Sequence, residues 1–303
     1  MGAVEIRNLT KCYGRVTAVD GVSLDIEEGA IFGLLGPNGS GKTTTLSCAL
    51  GLLRPTSGEV RILGERWGRM HRTRGRVGVV FDAPILIKGL SVLQNLEYAA
   101  HVRGHAGGRS LTEALELVDM AQLAGRPAGK LSLGQSKRMA IAAALAGKPE
   151  LLVLDEPLSG LDPLGVRQVL GLVQRLAGEG LTIVLSSHRL HEMQRVLTHA
   201  AILLDGKLAR AGTLAELLGS GTRHRLHVDA TERARVVIEA QGGTRIIETP
   251  AAGELVADLG RHTASEINRA LVQAGVGVSG LEPASTTLQD LFESLVDAAE
   301  AVA

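Results

Sequence analysis

Residues 36 to 43 read Gly-Pro-Asn-Gly-Ser-Gly-Lys-Thr, and the spacing Gly-x4-Gly-Lys-Thr suits a backbone cradle for phosphate. Glycines let successive N–H groups converge on a polyphosphate, and a following helix adds about half a positive charge at its N-terminus. Lys42 is placed to reach β- and γ-phosphates, and the Thr43 hydroxyl to ligate Mg²⁺. The candidate ATP-binding residues are therefore Gly36, Pro37, Asn38, Gly39, Ser40, Gly41, Lys42, Thr43 and Thr44. A glycine-rich turn with an incidental lysine is the plainer alternative. The apolar run before the motif and the helical pattern after it supply the strand–loop–helix context that favours the cradle.

A second candidate lies at 151–157, Leu-Leu-Val-Leu-Asp-Glu-Pro, an apolar strand ending in two carboxylates. Such a strand delivers Asp155 to Mg²⁺ as a fixed partner, directly or through water. Glu156, one residue further on, is placed to polarise an attacking water as a general base. Taken alone, the segment also reads as an ordinary strand terminus with a solvated acidic turn; the upstream cradle decides for the functional reading. His188 follows another buried run, Thr182 to Ser186, and is placed to contact a γ-phosphate. A lone histidine there is more often structural, so its role rests on its neighbours.

The elements that must position these residues follow from the apolar patterning. Buried strands are expected at 30–35, 151–154 and 182–186, with helices at 42–53, 111–123 and 136–146. Short apolar runs alternating with helical patterns describe a mixed α/β nucleotide-binding domain. A linker is expected at Gly219-Ser220-Gly221. Beyond it the chain has no lysine, and residues 221–303 hold 7 Arg against 12 Asp and Glu. There the pattern predicts strand 225–228, helix 232–240, strands 245–248 and 254–259, helix 265–274, strand 276–281 and helix 288–299. Thr263 and Glu266 have capping-box spacing, and the element order resembles a split βαβ domain.

Composition excludes several classes. Lys+Arg and Asp+Glu balance at 32 each, which argues against a chain built to coat nucleic acid. Cys12 and Cys48 have neither metal-type spacing nor a disulfide framework, which fits a reducing compartment. No segment approaches the roughly 20 apolar residues of a membrane span, so a membrane role is expected to come through a partner. Six arginines between 61 and 76 (Arg61, Arg66, Arg69, Arg72, Arg74 and Arg76) read as a solvated sheet edge and are assigned no function.

Taken together and in this order, the motifs resemble the ATP-binding cassette (ABC) ATPases over about residues 4–218. The most specific piece is Leu131-Ser132-Leu133-Gly134-Gln135, similar to the family's signature loop, with Leu133 where Gly is usual. The resemblance implies that Ser132, Gly134 and Gln135 close on the ATP held by a facing cassette, a second copy or a related one. Ser132 also suits a helix N-cap, and both roles can hold at once. Residues 159–162, Ser-Gly-Leu-Asp, match the family's D-loop, and Tyr13 takes the place of the aromatic that stacks on adenine. Asp82 stands where the family places Gln, and its carboxylate is expected to face Mg²⁺ or its waters. The acidic tail, ending Pro283 to Phe292, is similar to ATPase subunits of bacterial exporters.

The fold so implied is an α/β, P-loop NTPase core at 1–218 with a helical subdomain at about 83–148, plus a small α+β domain at 222–303 resembling a ferredoxin-like split βαβ. The function implied is ATP hydrolysis coupled to an integral membrane permease at the cytoplasmic face of the membrane, most simply for export. The segment between Asp82 and Leu96 is expected to touch that permease, and no nucleic acid is expected. A soluble ABC ATPase acting on ribosomes or DNA, and an importer ATPase with a sensing tail, are the alternatives.

Overall fold

In a computed structural model of the chain, residues 2–73, 75–102, 109–147, 149–219, 222–284 and 287–300 are described. They form two compact units, Met1–Leu214 and Ala215–Ala303. In chain order the first contains strands β1 (Gly2–Tyr13), β2 (Val16–Glu27) and β3 (Ile31–Leu35), then helix α1 (Lys42–Ala49). Strands β4 (Ser57–Ile62), β5 (Glu65–Arg66) and β6 (Val77–Val80) precede helices α2 (Val92–Val102), α3 (Leu111–Leu117) and α4 (Leu133–Leu145). Strand β7 (Leu151–Asp155), helix α5 (Pro163–Gly178), strand β8 (Thr182–Ser187), the single turn α6 (Leu190–Met193) and strands β9 (His199–Leu204) and β10 (Lys207–Thr213) complete it. A short α7 (Leu214–Leu218) runs across the boundary.

Two sheets carry the first unit. One is antiparallel, in the order β2-β1-β4-β5; the other runs β10-β9-β3-β8-β7-β6, parallel except at the β10 edge. Every residue of β3, β7 and β8 is buried, as continuous apolar runs in a parallel sheet covered on both faces require. One face of that sheet packs Phe32, Leu34, Val153 and Val184 against α1 and against Val4, Ile6, Leu24 and Ile62 of the antiparallel sheet. Helix α5 lies along β8, burying Val166, Val169, Leu170, Val173 and Leu176 at helical spacing.

Register decides where the functional loops emerge. Leu34 of β3 is level with Ser186 of β8, and Ser186 is level with Asp155 of β7. Three adjacent parallel strands therefore end together, and the loops carrying Gly36, Glu156 and His188 leave from one edge. That edge is the carboxyl end of the strands, where open α/β sheets bind ligands.

Several boundaries differ from the sequence expectation. Helix α1 stops at Ala49, short of 53, because Gly51 adopts φ +74° and the N–H groups of Gly51 and Leu52 turn back to the carbonyls of Cys48 and Ser47. This is a Schellman cap, which the apolar spacing of Leu50, Leu52 and Leu53 obscures. The helix expected over 111–123 breaks after Leu117, where Asp119 takes φ +54°, and resumes as a 3-10 turn at Ala121–Leu123. Helix α4 begins at Leu133, ahead of Ser136, because Ser132 caps it. Of the six arginines, Arg76 is held by Glu150 at 2.6 Å from both Nε and Nη2, and Arg74 lies outside the described residues.

The second unit is built from β11 (Arg223–Val228), α8 (Thr231–Glu239), β12 (Arg245–Glu248), β13 (Glu254–Asp258), α9 (Ala264–Gln273), β14 (Val278–Pro283) and α10 (Leu288–Glu300). Its antiparallel sheet runs β12-β13-β11-β14, so each strand–helix–strand half is split by a strand of the other. Leu226, Val228, Ala234, Ile238, Leu255, Ala257, Ile267 and Leu271 form its core. The expected capping box is present: Thr263 Oγ accepts the Glu266 N–H, and Glu266 accepts the Thr263 N–H. That backbone hydrogen bond holds the Glu266 carboxyl below its ordinary range.

Leu226 is fully buried in a core confined to the second unit. Leu226→Ala is expected to lower the stability of that unit by about 2–5 kcal/mol. Calorimetry should show an earlier transition for it, while nucleotide binding by the first unit is unchanged.

Candidate functional site

The cradle is built by backbone that only glycine tolerates at two points. Gly36 has φ +149°, and a Cβ there would sit 2.3 Å from the Leu203 carbonyl oxygen. Gly41 has φ +97°, and its Cβ would meet the Ala18 oxygen at 2.5 Å. Within the loop Lys42 is 5% exposed, and its ammonium donates to the carbonyls of Gly36 at 2.9 Å and Pro37 at 3.0 Å. Ser40 Oγ is buried with no protein partner, an acceptor-and-donor left over inside a phosphate-sized loop. Residues Gly36 to Thr44 thus run as one strand–loop–helix unit from β3 into α1.

Beside it, Thr43 Oγ1 donates to both carboxylate oxygens of Asp155, at 3.1 and 3.0 Å. Asp155 is only 4% exposed, and Ser186 Oγ donates to its Oδ1 at 2.5 Å. A hydroxyl and a buried carboxylate in contact form a hard, oxygen-only donor set, the chemistry that suits Mg²⁺.

Glu156 is gripped on every polar group. Its N–H donates to Ser186 Oγ at 2.9 Å, and its carbonyl accepts from Lys137 Nζ at 2.8 Å. One carboxylate oxygen lies 3.4 Å from Lys42 Nζ, an ion-pair distance too long and misaligned for a hydrogen bond, since the same Oε1 has no hydrogen-bond partner. The other lies 3.0 Å from His188 Nδ1. An ionised carboxylate only accepts, so Nδ1 carries the proton in this contact, and donation by Nε2 to a phosphate would then require the imidazolium. The backbone of Glu156 has φ +48°, a left-handed conformation that costs a non-glycine residue about 1–3 kcal/mol. The expected catalytic set Lys42, Glu156 and His188 therefore meets at one point.

The other expected residues make contacts of their own. Ser132 Oγ accepts the Gln135 N–H at 3.3 Å, and Gln135 Oε1 accepts the Ser132 N–H at 3.1 Å, a capping box at the start of α4. A Cβ on Gly134 would meet Leu161 at an ordinary 3.6 Å, and a Cβ on Gly160 would fall 2.7 Å from Leu133 Cδ2. The signature loop and the D-loop are thus packed together, with Leu133 filling the space over Gly160. Tyr13 is 48% exposed, and Lys11 Nζ stands 4.9 Å from its ring centroid, which leaves the other face for stacking.

Asp82 makes its recorded contact with a lysine of α4. Its Oδ1 accepts from Lys137 Nζ at 3.1 Å, while the hydroxyl–carboxylate pair Thr43 and Asp155 is joined by Ser186. Among the described residues its recorded partner is a cation, and it is not part of the Thr43–Asp155 set. Two residues were missed by sequence reasoning. Ser186, read only as strand, links Asp155 to Glu156; its signal was a hydroxyl at the mouth of a buried strand. Lys137, read only as part of an alanine-rich helix, is 2% exposed and bonds both Asp82 and Glu156. Its signal was an unexplained lysine one turn beyond the signature loop.

Known proteins resemble this chain. Residues 19–159 match the family described as ABC transporter. The bacitracin transport ATP-binding protein BcrA of Bacillus licheniformis is 32% identical over 298 residues, 97% of each chain. The methionine import ATP-binding protein MetN of Streptomyces griseus is 38% identical over 240 residues, 72% of this chain and 67% of that one. The dimeric ATP-binding cassette MJ0796 in a post-hydrolysis state bound to ADP and phosphate superposes with a TM-score of 0.63 at 30% identity, covering 70% of this chain and 98% of that one. With a sequence likeness to BcrA that runs over 97% of its length, the protein belongs to the ATP-binding cassette ATPases of ABC transporters.

Proposed function

We propose that this chain binds ATP with Mg²⁺ between two facing cassettes and couples closure and reopening of that pair to export through a separate membrane-spanning permease. The observation that carries the reading is the meeting of Lys42, Glu156 and His188 at 3.4 and 3.0 Å around one carboxylate. Lys42, already aimed into the loop, exchanges loop carbonyls for phosphate oxygens. Glu156 acts as general base, orienting a water for in-line attack on the γ-phosphorus and taking its proton. His188 steadies the carboxylate through Nδ1–H and, as the imidazolium, donates Nε2–H to the γ-phosphate. Mg²⁺ held by Thr43 and Asp155 supplies charge neutralisation on the phosphates.

The second cassette supplies Ser132, Gly134 and Gln135, whose small side chains and helix N-terminus suit a γ-phosphate. Tyr13, with one face on Lys11, stacks adenine on the other.

A permease docks, in this reading, on an apolar groove of about 360 Å³ lined by Phe81, Pro84, Ile85, Ile87, Tyr98 and Val102. Ile85 is 95% exposed and Tyr98 56%, side chains that a lone cassette leaves in water. No helix among the described residues is long and apolar enough to cross a membrane, so attachment at the cytoplasmic face goes through that partner. Export is favoured over import by where the likeness extends. The bacitracin transport relative matches over 97% of its length, second unit included, whereas the methionine import relative matches over 67%.

Three outcomes test this. Glu156→Gln keeps ATP affinity and lowers kcat by about 100-fold or more; size-exclusion with ATP should then show an accumulated dimer, and full turnover would remove Glu156 from the role. Gly134→Asp keeps the fold, since an acid in the first turn of α4 suits the helix dipole. It should abolish the ATP-dependent dimer in the same assay. Ile85→Asp leaves the ATPase of the isolated chain intact and prevents copurification with the permease from detergent-solubilised membranes. Recovery with ribosomes or DNA in place of a membrane protein would overturn the transporter reading.

A further inference from the structure

We propose that Lys137 is a positioning residue for hydrolysis: its ammonium holds the carbonyl of Glu156, fixes that residue's left-handed backbone, and uses Asp82 as its counter-ion. The inference rests on Glu156 being the general base. Its observations are independent of that role. Lys137 is nearly fully buried, and two of its three protons are spoken for, by Glu156 O at 2.8 Å and Asp82 Oδ1 at 3.1 Å. An ammonium removed from water must find such partners. Asp82 is 55% exposed, so its attraction is screened and the carbonyl is the contact that sets geometry.

The carbonyl matters because of the conformation it belongs to. Glu156 has φ +48°, and its N–H and C=O are each tied to a side chain from another element, Ser186 of β8 and Lys137 of α4. These two ties hold the peptide planes on either side of the Glu156 Cα. They thereby aim a carboxylate whose own contacts, to Lys42 and His188, must change when a triphosphate enters. Asp82, at the position where a metal contact was expected, is instead the group that makes a buried lysine acceptable at 137. The two departures form one device.

The test compares Lys137→Met with Lys137→Gln, side chains of like length of which only Gln donates. Lys137→Met is expected to bind a fluorescent ATP analogue with Kd within about twofold of the parent while kcat falls about tenfold or more. Lys137→Gln should recover at least about threefold of that loss. Unchanged kcat in Lys137→Met overturns the proposal, as does a parallel fall of affinity and kcat in both variants, which marks a merely structural lysine. Asp82→Asn, which still accepts from Lys137 but withdraws the counter-charge, should lower the melting temperature and leave the Mg²⁺ concentration for half-maximal activity unaltered. A tenfold higher Mg²⁺ requirement would return Asp82 to the metal. Glu156→Gln is assayed alongside. If it is inactive while Lys137→Met turns over normally, only the positioning proposal fails; if it too turns over, the general-base reading fails.

Discussion

A carboxylate just past the end of a buried strand, largely withdrawn from water, needs donors around it. Glu156, 14% exposed at its side chain, meets this constraint with Lys42 on one oxygen and His188 on the other. The same two groups are the ones a triphosphate would engage. On the proposed reading, binding a polyanion would compete with these contacts and free the carboxylate to take a water as its new partner. The chemistry of the site follows from this shared set of donors more than from any single residue.

Such competition requires placement that does not drift. The strand register supplies it, because Leu34, Ser186 and Asp155 lie side by side in three hydrogen-bonded parallel strands. Ser186 adds a cross-strand tie, donating to Asp155 and accepting from Glu156 N–H. Asp155 and Glu156 are thus coupled through one hydroxyl with no solvent access, since Ser186 is 0% exposed. A one-residue slip of β7 against β8 would exchange the faces of the whole strand.

The sequence displayed the parts of this arrangement that depend on local chemistry. The cradle, the paired carboxylates and the capping box at Thr263 are short-range patterns, each written in residues close together in the chain. The buried strands were legible because a sheet covered on both faces needs unbroken apolar runs. What was not legible were contacts between residues far apart in the chain. The ion pair of Asp82 with Lys137 spans 55 residues, and Ser186 reaches Asp155 across 31. Helix ends were misjudged where a left-handed residue, Gly51 or Asp119, turned the chain while leucines continued the periodic spacing. The long N-terminal strands β1 and β2, with their register shifts, gave no clean alternation to read.

Helix α4 joins the two halves of the proposed composite site. Its first turn carries Ser132, Gly134 and Gln135, the residues proposed to face the partner's ATP, and its next carries Lys137, bonded to the chain's own Glu156. A rigid helix cannot move at one end alone, so whatever the facing triphosphate does to the N-terminus of α4 is felt at the Glu156 carbonyl. The tight packing of Leu133 over Gly160 and of Leu161 beside Gly134 ties the D-loop to the same motion. The strained conformation at Glu156 makes that coupling consequential, because a residue held in the left-handed region by two hydrogen bonds relaxes when either is lost. On the proposed reading, the Glu156 carbonyl is the point at which a shift of α4 would reach the hydrolytic centre.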